Sequence, residues 1–315
     1  MDPVSHLVIG LGLATLSGRP LDISDPVYIA SSIGAIIPDL DILWQLKGDM
    51  SYLKHHRGPS HSLVGITLTA ILVGGLIKIL FHQIGLLESI WWVFAGALSH
   101  CLFDIGNSYG AQFFYPLSKK RVTVNLIQIF DPVILGIFGL LLINHWSGGL
   151  NMNSWAILML IPIYLILRWL MRQQMYRVIR SKHQEELIGL VLLPSLIGLR
   201  KWDYLLETGV ARELGTIVYP RGRAKADKQL KKDPVNEVIK TALNSPIGEI
   251  FQKFTPHIHI SHGVEGNRHI VKFFDLRYQL GQEFMHSATV VLDQGERLVE
   301  QIFHPYNKNR NAPIN

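Results

Sequence analysis

Within the first 104 residues, His6, Asp39, Asp41, His55, His61, His100 and Asp104 carry side chains able to ligate a divalent metal. His100 and Asp104 are four apart, so a helix would set both on one face. The plain alternative is a buried pair that satisfies itself. Asp39 and Asp41 flank Leu40 just after Pro38, and carboxylates this close repel unless a cation or a shared proton relieves them. Helix capping or an Asx turn would also explain them. His55 and His61 bracket Gly58-Pro59, a turn able to bring both imidazoles to one cation. His56 suits a group that orients a ligand, and Ser60 and Ser62 suit helix caps. Arg57 suits a bidentate hold on phosphate or carboxylate, or a contact with lipid headgroups. Donors of nitrogen and oxygen without thiolate fit Zn²⁺ first and Mn²⁺ second, in preference to Ca²⁺. The chemistry is then metal-assisted hydrolysis, in which the cation activates water and polarises a phosphoryl or acyl group. Asp39 or Asp41 would serve as general base and Arg57 would hold the substrate anion.

These groups are costly in an apolar setting, and the setting is apolar. The 315 residues are 48% hydrophobic and 17% charged, against about 25% charged in a soluble domain. Only a third of the 30 Lys and Arg lies before residue 173, which predicts an apolar domain over 1–182 and a basic one over 183–315. The start Met1-Asp2-Pro3 lacks the basic region and cleavage site of a signal peptide. Cys101 is the single cysteine, which excludes an intramolecular disulfide and a four-cysteine zinc site.

Spans are predicted at Leu63–Phe81, Leu86–Phe103, Trp155–Leu170 and Ile127–Trp146. His6–Leu16 and Pro26–Trp44 read as short or partly re-entrant helices, with two further full spans as the alternative. Lys and Arg concentrate before the first strong span and in the loop Gly106–Leu126, and are missing from Gln83–Gly85 and Ser147–Ser154. Positive residues mark the cytoplasmic side, so the motif residues and the C-terminal domain are expected there. Arg168, Arg172, Arg177, Arg180 and Lys182 read as a basic collar at the membrane surface. No nucleic-acid motif supports another use of the charge.

In the second half, Leu187–Leu199 reads as an interfacial apolar run, and Lys225–Lys232 as a charged linker or exposed helix start. Val235–Phe254 has helical spacing. His257–Ser261, His269–Phe274, Ala288–Leu292 and Leu298–Phe303 read as short strands with glycine-bearing turns. The tail after Pro305 reads as loose. The fold class expected is a membrane α-helical bundle of about four spans followed by a soluble α+β domain. His257 and His259, with His262, His269, His286 and His304, form a second imidazole collection that reads as packing and surface residues. Asp131-Pro132 reads as a helix start.

The ordered set His6, Pro38-Asp39-Leu40-Asp41, His55-His56-Arg57-Gly58-Pro59-Ser60-His61-Ser62 and Ser99-His100-Cys101-Leu102-Phe103-Asp104 resembles the motifs of the YdjM-type family of predicted membrane-bound metal-dependent hydrolases. Tyr109-Gly110, Tyr115-Pro116 and Asp131-Pro132 extend the similarity over residues 1–170, while Asp275-Leu276-Arg277-Tyr278 and His304-Pro305-Tyr306 resemble its YfhP-like branch. The resemblance implies metal ligands at the His and Asp positions and implies no substrate. Asn107 and Ser60 stand where the family pattern has threonine, and both keep a polar group. The resulting expectation is a multi-pass enzyme of the cytoplasmic membrane, in contact with lipids, with an amphiphilic or phosphorylated substrate and no nucleic-acid partner. The sequence does not define an oligomeric state. A metal transporter or sensor, or an anchor for a cytoplasmic interaction domain, is the competing reading. The lack of polar lining in Leu63–Phe81 and Trp155–Leu170 disfavours a transport path.

Overall fold

A computed structural model describes residues 1–146, 150, 152–183, 187–280, 283–305 and 312–313. The N-terminal helices share one starting device. Asp2, Asp25 and Asp131 cap α1 (Pro3–Ala14), α2 (Pro26–Ile36) and, further on, the helix Pro132–His145, each followed by proline at the first helical position. The carboxylate satisfies amide groups that the first turn leaves unpaired, and proline has no amide to leave. Asp131 therefore has the expected helix-start role: it accepts from Val133 and Ile134 N–H at 3.1 and 3.3 Å and from the Tyr164 hydroxyl at 2.8 Å.

After α2 the chain tightens into a 3-10 run, Ile37–Lys47, then forms α3 (Asp49–His55). α4 (Leu63–Leu80), α5 (Leu86–Gly106), α6 (Pro132–His145), α7 (Ser154–Leu158) and α8 (Leu160–Lys182) follow. Among the described residues four helical runs are long and apolar enough to cross a membrane: Pro26–Lys47, Leu63–Leu80, Leu86–Gly106 and Ser154–Lys182. Two expectations change. Pro26–Trp44 is not short, because the 3-10 run continues the helix past Pro38. Ile127–Trp146 contributes only the 14 residues of α6, because the Asp131 cap starts the helix late. Arg168 also departs from the collar: it is buried, and its guanidinium donates to the carbonyls of Leu126 (2.8 Å) and Leu199. Arg172 donates to Val124 O at 3.0 Å. The loops that end near α8 leave carbonyls without strand or helix partners, and these arginines satisfy them.

α1, α2 and α5 pack through small residues. A Cβ at Gly34 would lie 2.1 Å from Val93 O, and one at Gly96 would lie 2.1 Å from Ser31 O. Glycine at both positions lets the backbones of α2 and α5 meet, the usual solution where lipid gives no hydrophobic drive between helices.

Two compact units emerge: Met1–Asp41, Arg57–Gln174 and Leu196–Leu199 form the first, and Ile42–His56, Met175–Ser195 and Arg200–Asn315 the second. In the second unit, β1 (Gly189–Pro194), β2 (Lys201–Glu207), β3 (Ala211–Val218) and β4 (Arg223–Lys231) form an antiparallel meander in that order. Leu187–Leu199 is thus not an interfacial segment: a short apolar run bounded by glycine and proline equally suits a half-buried strand. Lys225–Lys232 is not a linker or helix start, since residues 223–231 pair along β3 and form a largely exposed sheet edge. The helical stretch at 235–254 is two helices, α9 (Glu237–Leu243) and α10 (Pro246–Phe254), divided at Ser245, which caps α10.

A second sheet follows, from β5 (Ile258–Glu265), β6 (Arg268–Asp275), the small hairpin β7 (Gln279–Leu280) and β8 (Glu283–Phe284), β9 (His286–Leu292), β10 (Leu298–Pro305) and β11 (Ala312–Pro313). The sheet order is β11-β10-β9-β6-β5, with β7 and β8 paired apart. Apart from β11, the tail after Pro305 lies outside the described residues. α10 packs its buried face on this sheet, with Phe251 and Phe273 ring centroids 6.1 Å apart. His286 is buried between Phe254 and Phe303, and burial pushes its pKa down to about 4.

Gly96→Ala should destabilise the bundle by about 1–3 kcal/mol, since the added methyl meets a backbone carbonyl that cannot step aside. Thermal unfolding in detergent checks this, with Gly75→Ala, which has open space, as the neutral control. His286 gives a second test. Its folded pKa lies below the unfolded value of about 6.5, so its contribution is complete above pH 6.5 and fades as pH falls towards 4. Unfolding temperatures from pH 7.5 to 4.5 should fall less steeply for His286→Gln than for the wild type.

Candidate metal centre

Three separate segments of the first unit bring the site together. α5 supplies His100 and Asp104 from successive turns, the 3-10 run supplies Asp39, and the single 3-10 turn Pro59–His61 supplies His61. Ser62 ends that turn and caps α4 by accepting from Gly65 N–H at 3.0 Å, so the start of the helix fixes where His61 stands. His61, His100 and Asp104 side chains are fully buried, while Asp39 keeps 16% exposure.

Four donor atoms converge. His61 Nε2 and His100 Nε2 are 3.1 Å apart. Asp39 Oδ1 lies 3.5 and 3.4 Å from them, and Asp104 Oδ2 lies 3.5 and 3.6 Å from them. All four atoms fall within 4.8 Å of one another. Four ligands held at about 2.1 Å around a tetrahedral ion have mutual separations of about 3.4 Å. The donor set therefore fits a tetrahedral cation. Its chemistry agrees: the Nδ1–H of His100 donates to Ala35 O at 2.7 Å, which leaves Nε2 with a lone pair facing the cluster. The site also draws cations already in the chain. The Met1 ammonium contacts Asp104 Oδ1 and lies 3.0 Å from His6 Nε2.

The remaining expected residues occupy a surrounding layer. His6 is buried, stacks on His100 with centroids 3.6 Å apart, and sets Nε2 3.4 Å from Asp104 Oδ1. Asp41 stands behind His61, 3.6 Å from Nδ1, and accepts the Arg57 backbone N–H at 2.7 Å. The side chain of His55, which ends α3, lies outside the described residues. Arg57 does not face outward as an anion clamp. It is buried, with Nε 3.0 Å from Asp104 Oδ2 and Nη1 donating to Asn107 Oδ1 at 3.1 Å. The reason is electrostatic: a carboxylate with no water contact needs a positive neighbour. Arg57 also has φ +56°, a conformation costly for a long side chain and held here by neighbours. Asp41 takes its N–H, and its carbonyl accepts from Gln112 N–H at 3.1 Å.

Sequence reasoning gave Asn107 no place in the site. It donates to Asp104 Oδ1 at 3.2 Å while accepting from Arg57, so it ties both to the end of α5. Its position one turn beyond Asp104 was the signal. Ser60, expected as a cap, instead bonds His61 Nδ1 at 3.0 Å. The second imidazole collection builds no comparable group among the described residues. His259 is buried and stacked on Phe274, and His262 is paired with His269.

Comparison with known proteins agrees with this layout. The YfhP C-terminal alpha/beta plait domain matches residues 237–311. The protein named YfhP of Bacillus subtilis (strain 168) is 28% identical over 291 residues, covering 89% of this chain and 87% of its own length. No solved structure matches. The family described as YdjM inner membrane protein matches residues 1–175, which hold all four donors of the cluster and every long apolar helix but the end of α8. The chain belongs to the YdjM inner membrane protein family.

Proposed function

We propose that this membrane protein is a metal-dependent hydrolase, with His61, His100 and Asp104 holding one divalent cation, Zn²⁺ in preference to Mn²⁺, and Asp39, the least committed donor, on its solvent-facing side. The observation that supports it is the meeting of these four donors from three segments at separations a tetrahedral ion requires. A bound cation of this kind supplies Lewis acidity, which makes water a nucleophile near neutral pH and polarises a phosphoryl or acyl oxygen.

The chain's own residues do the rest. The Ala35 carbonyl holds His100 in one tautomer, and Ser60 and Asp41 hold His61 from its Nδ1 side. Arg57 and Asn107 hold Asp104 in orientation. Asp39 is the member of the cluster with solvent access, so its carboxylate is the group to take a proton from attacking water and pass it outward. Asp41 is committed to the Arg57 loop and acts through it. A site at the end of apolar helices favours an amphiphilic substrate such as a phospholipid or another lipid-linked phosphate. The basic loops support a cytoplasmic side for the site and for the C-terminal domain.

Purified protein should carry about one zinc per chain. His100→Ala and Asp104→Asn should lose the metal and any phosphoester hydrolysis while membrane insertion persists, because insertion depends on the apolar runs. The double variant His257→Ala/His259→Ala should keep both. Metal analysis beside a phosphoester and lipid screen decides; full metal content in His100→Ala would end this reading. Arg57→Ala, in contrast, should lower stability by about 3 kcal/mol or more, by leaving Asp104 without its guanidinium. Topology has its own test: a green fluorescent reporter fused after Asn315 should fluoresce, and a periplasm-dependent phosphatase fused there should stay inactive.

A further inference from the structure

The loop between α5 and α6 leaves the bundle at Ala111 and returns at Val122, where the two residues pair across its neck. Its first half ends in apolar residues left largely open among the described residues: Phe114 is 54% exposed and Leu117 is 94% exposed. Its second half carries Lys119 and Lys120, both exposed. An apolar tip followed at once by cations matches the layered chemistry of a bilayer surface, where acyl chains give way to anionic phosphates.

The loop is also fixed in place. It leaves directly from the end of α5, and Phe113 O accepts the N–H of Leu63, the first residue of α4. Two apolar helices of spanning length therefore terminate at its base. Gln112 stiffens it from within by donating to Lys119 O at 2.9 Å. Gln112 N–H and Phe113 O bond Arg57 and Leu63, which stand on either side of His61. The loop and the His/Asp cluster thus share one end of the helices.

We propose that residues 112–121 form a membrane-interface anchor, with Phe114 and Leu117 entering the boundary of the acyl chains and Lys119 and Lys120 binding the phosphates of anionic phospholipids at the rim of the metal centre. The inference rests on α4 and α5 spanning the bilayer and is independent of any hydrolysis. It makes anionic lipid the first molecule the site meets.

The test uses the full chain in nanodiscs. Cys101 is the single cysteine and is buried, so a thiol-directed fluorophore reaches an engineered cysteine selectively. The probe is placed at Leu117→Cys and, for reference, at Lys225→Cys on the exposed β4 edge. It is read by quenching from spin-labelled lipid and from aqueous iodide, in phosphatidylglycerol and in phosphatidylcholine discs. The Leu117→Cys probe should be quenched by lipid and shielded from iodide in phosphatidylglycerol, and the reference probe should show the reverse. Each lysine near an anionic surface is worth about five-fold in partitioning, so Lys119→Gln/Lys120→Gln should lower the loop's preference for phosphatidylglycerol by roughly twenty-five-fold. Iodide quenching equal at both positions would overturn the proposal. So would shielding from iodide without any quenching by spin-labelled lipid, which would mean a protein surface covers the loop. Equal lipid quenching in both kinds of disc would overturn the role of the lysines. Unchanged thermal unfolding of each variant shows that the loop, and not the bundle, has been altered.

Discussion

A carboxylate with no access to water sits at the end of an apolar helix, and the first unit is organised around making that tolerable. An uncompensated charge there would be expensive enough to unfold its surroundings or stay neutral. Asp104 avoids both outcomes because a guanidinium, an amide and three imidazoles surround it. They come from three stretches of chain: α1, the loop from Arg57 to His61, and the end of α5. The motif residues are therefore not an independent ornament on a helical scaffold. They are the polar half of the packing itself, and they hold α1, the Arg57 loop and α5 to one another.

Close helix contact is the other half. The bond from His100 to the carbonyl of Ala35 requires the backbone of α2 to lie against α5, and Gly34 and Gly96 permit that approach. Small residues set the distance and polar residues use it. Neither would suffice alone, since lipid tails solvate apolar side chains as well as a neighbouring helix does.

Much of this was legible in the chain. The i,i+4 pair at His100 and Asp104, the Pro-Asp-x-Asp segment and the Gly-Pro turn before His61 announced three of the contributing segments, because ligand chemistry restricts residue type and helical period restricts spacing. Asp131-Pro132 announced a helix start for a similar reason. The role of Arg57 was not legible. Its type fits an external anion as well as a buried carboxylate, and only the folded neighbourhood distinguishes them. The meander β1 to β4 was missed because its strands owe their state to pairing: β4 is rich in lysine and arginine and has little strand preference of its own, yet β3 supplies a full row of backbone partners. Likewise the 3-10 continuation past Pro38 depends on the tertiary setting of Asp39 and Asp41 more than on local preference.

The scattering of the donors along the chain has a consequence for biosynthesis. Asp39 and Asp41 leave the ribosome about 60 residues ahead of Asp104, which is several seconds at roughly 5–20 residues per second. For most of that interval Arg57 has been made but His100 has not, so the two carboxylates lack one of the imidazoles that accompany them in the folded unit. Those carboxylates make the segment from Pro26 one of the costlier long apolar runs to hold in a bilayer by itself. The order of translation thus makes the later α4 and α5 the helices that bring the earlier one its polar partners.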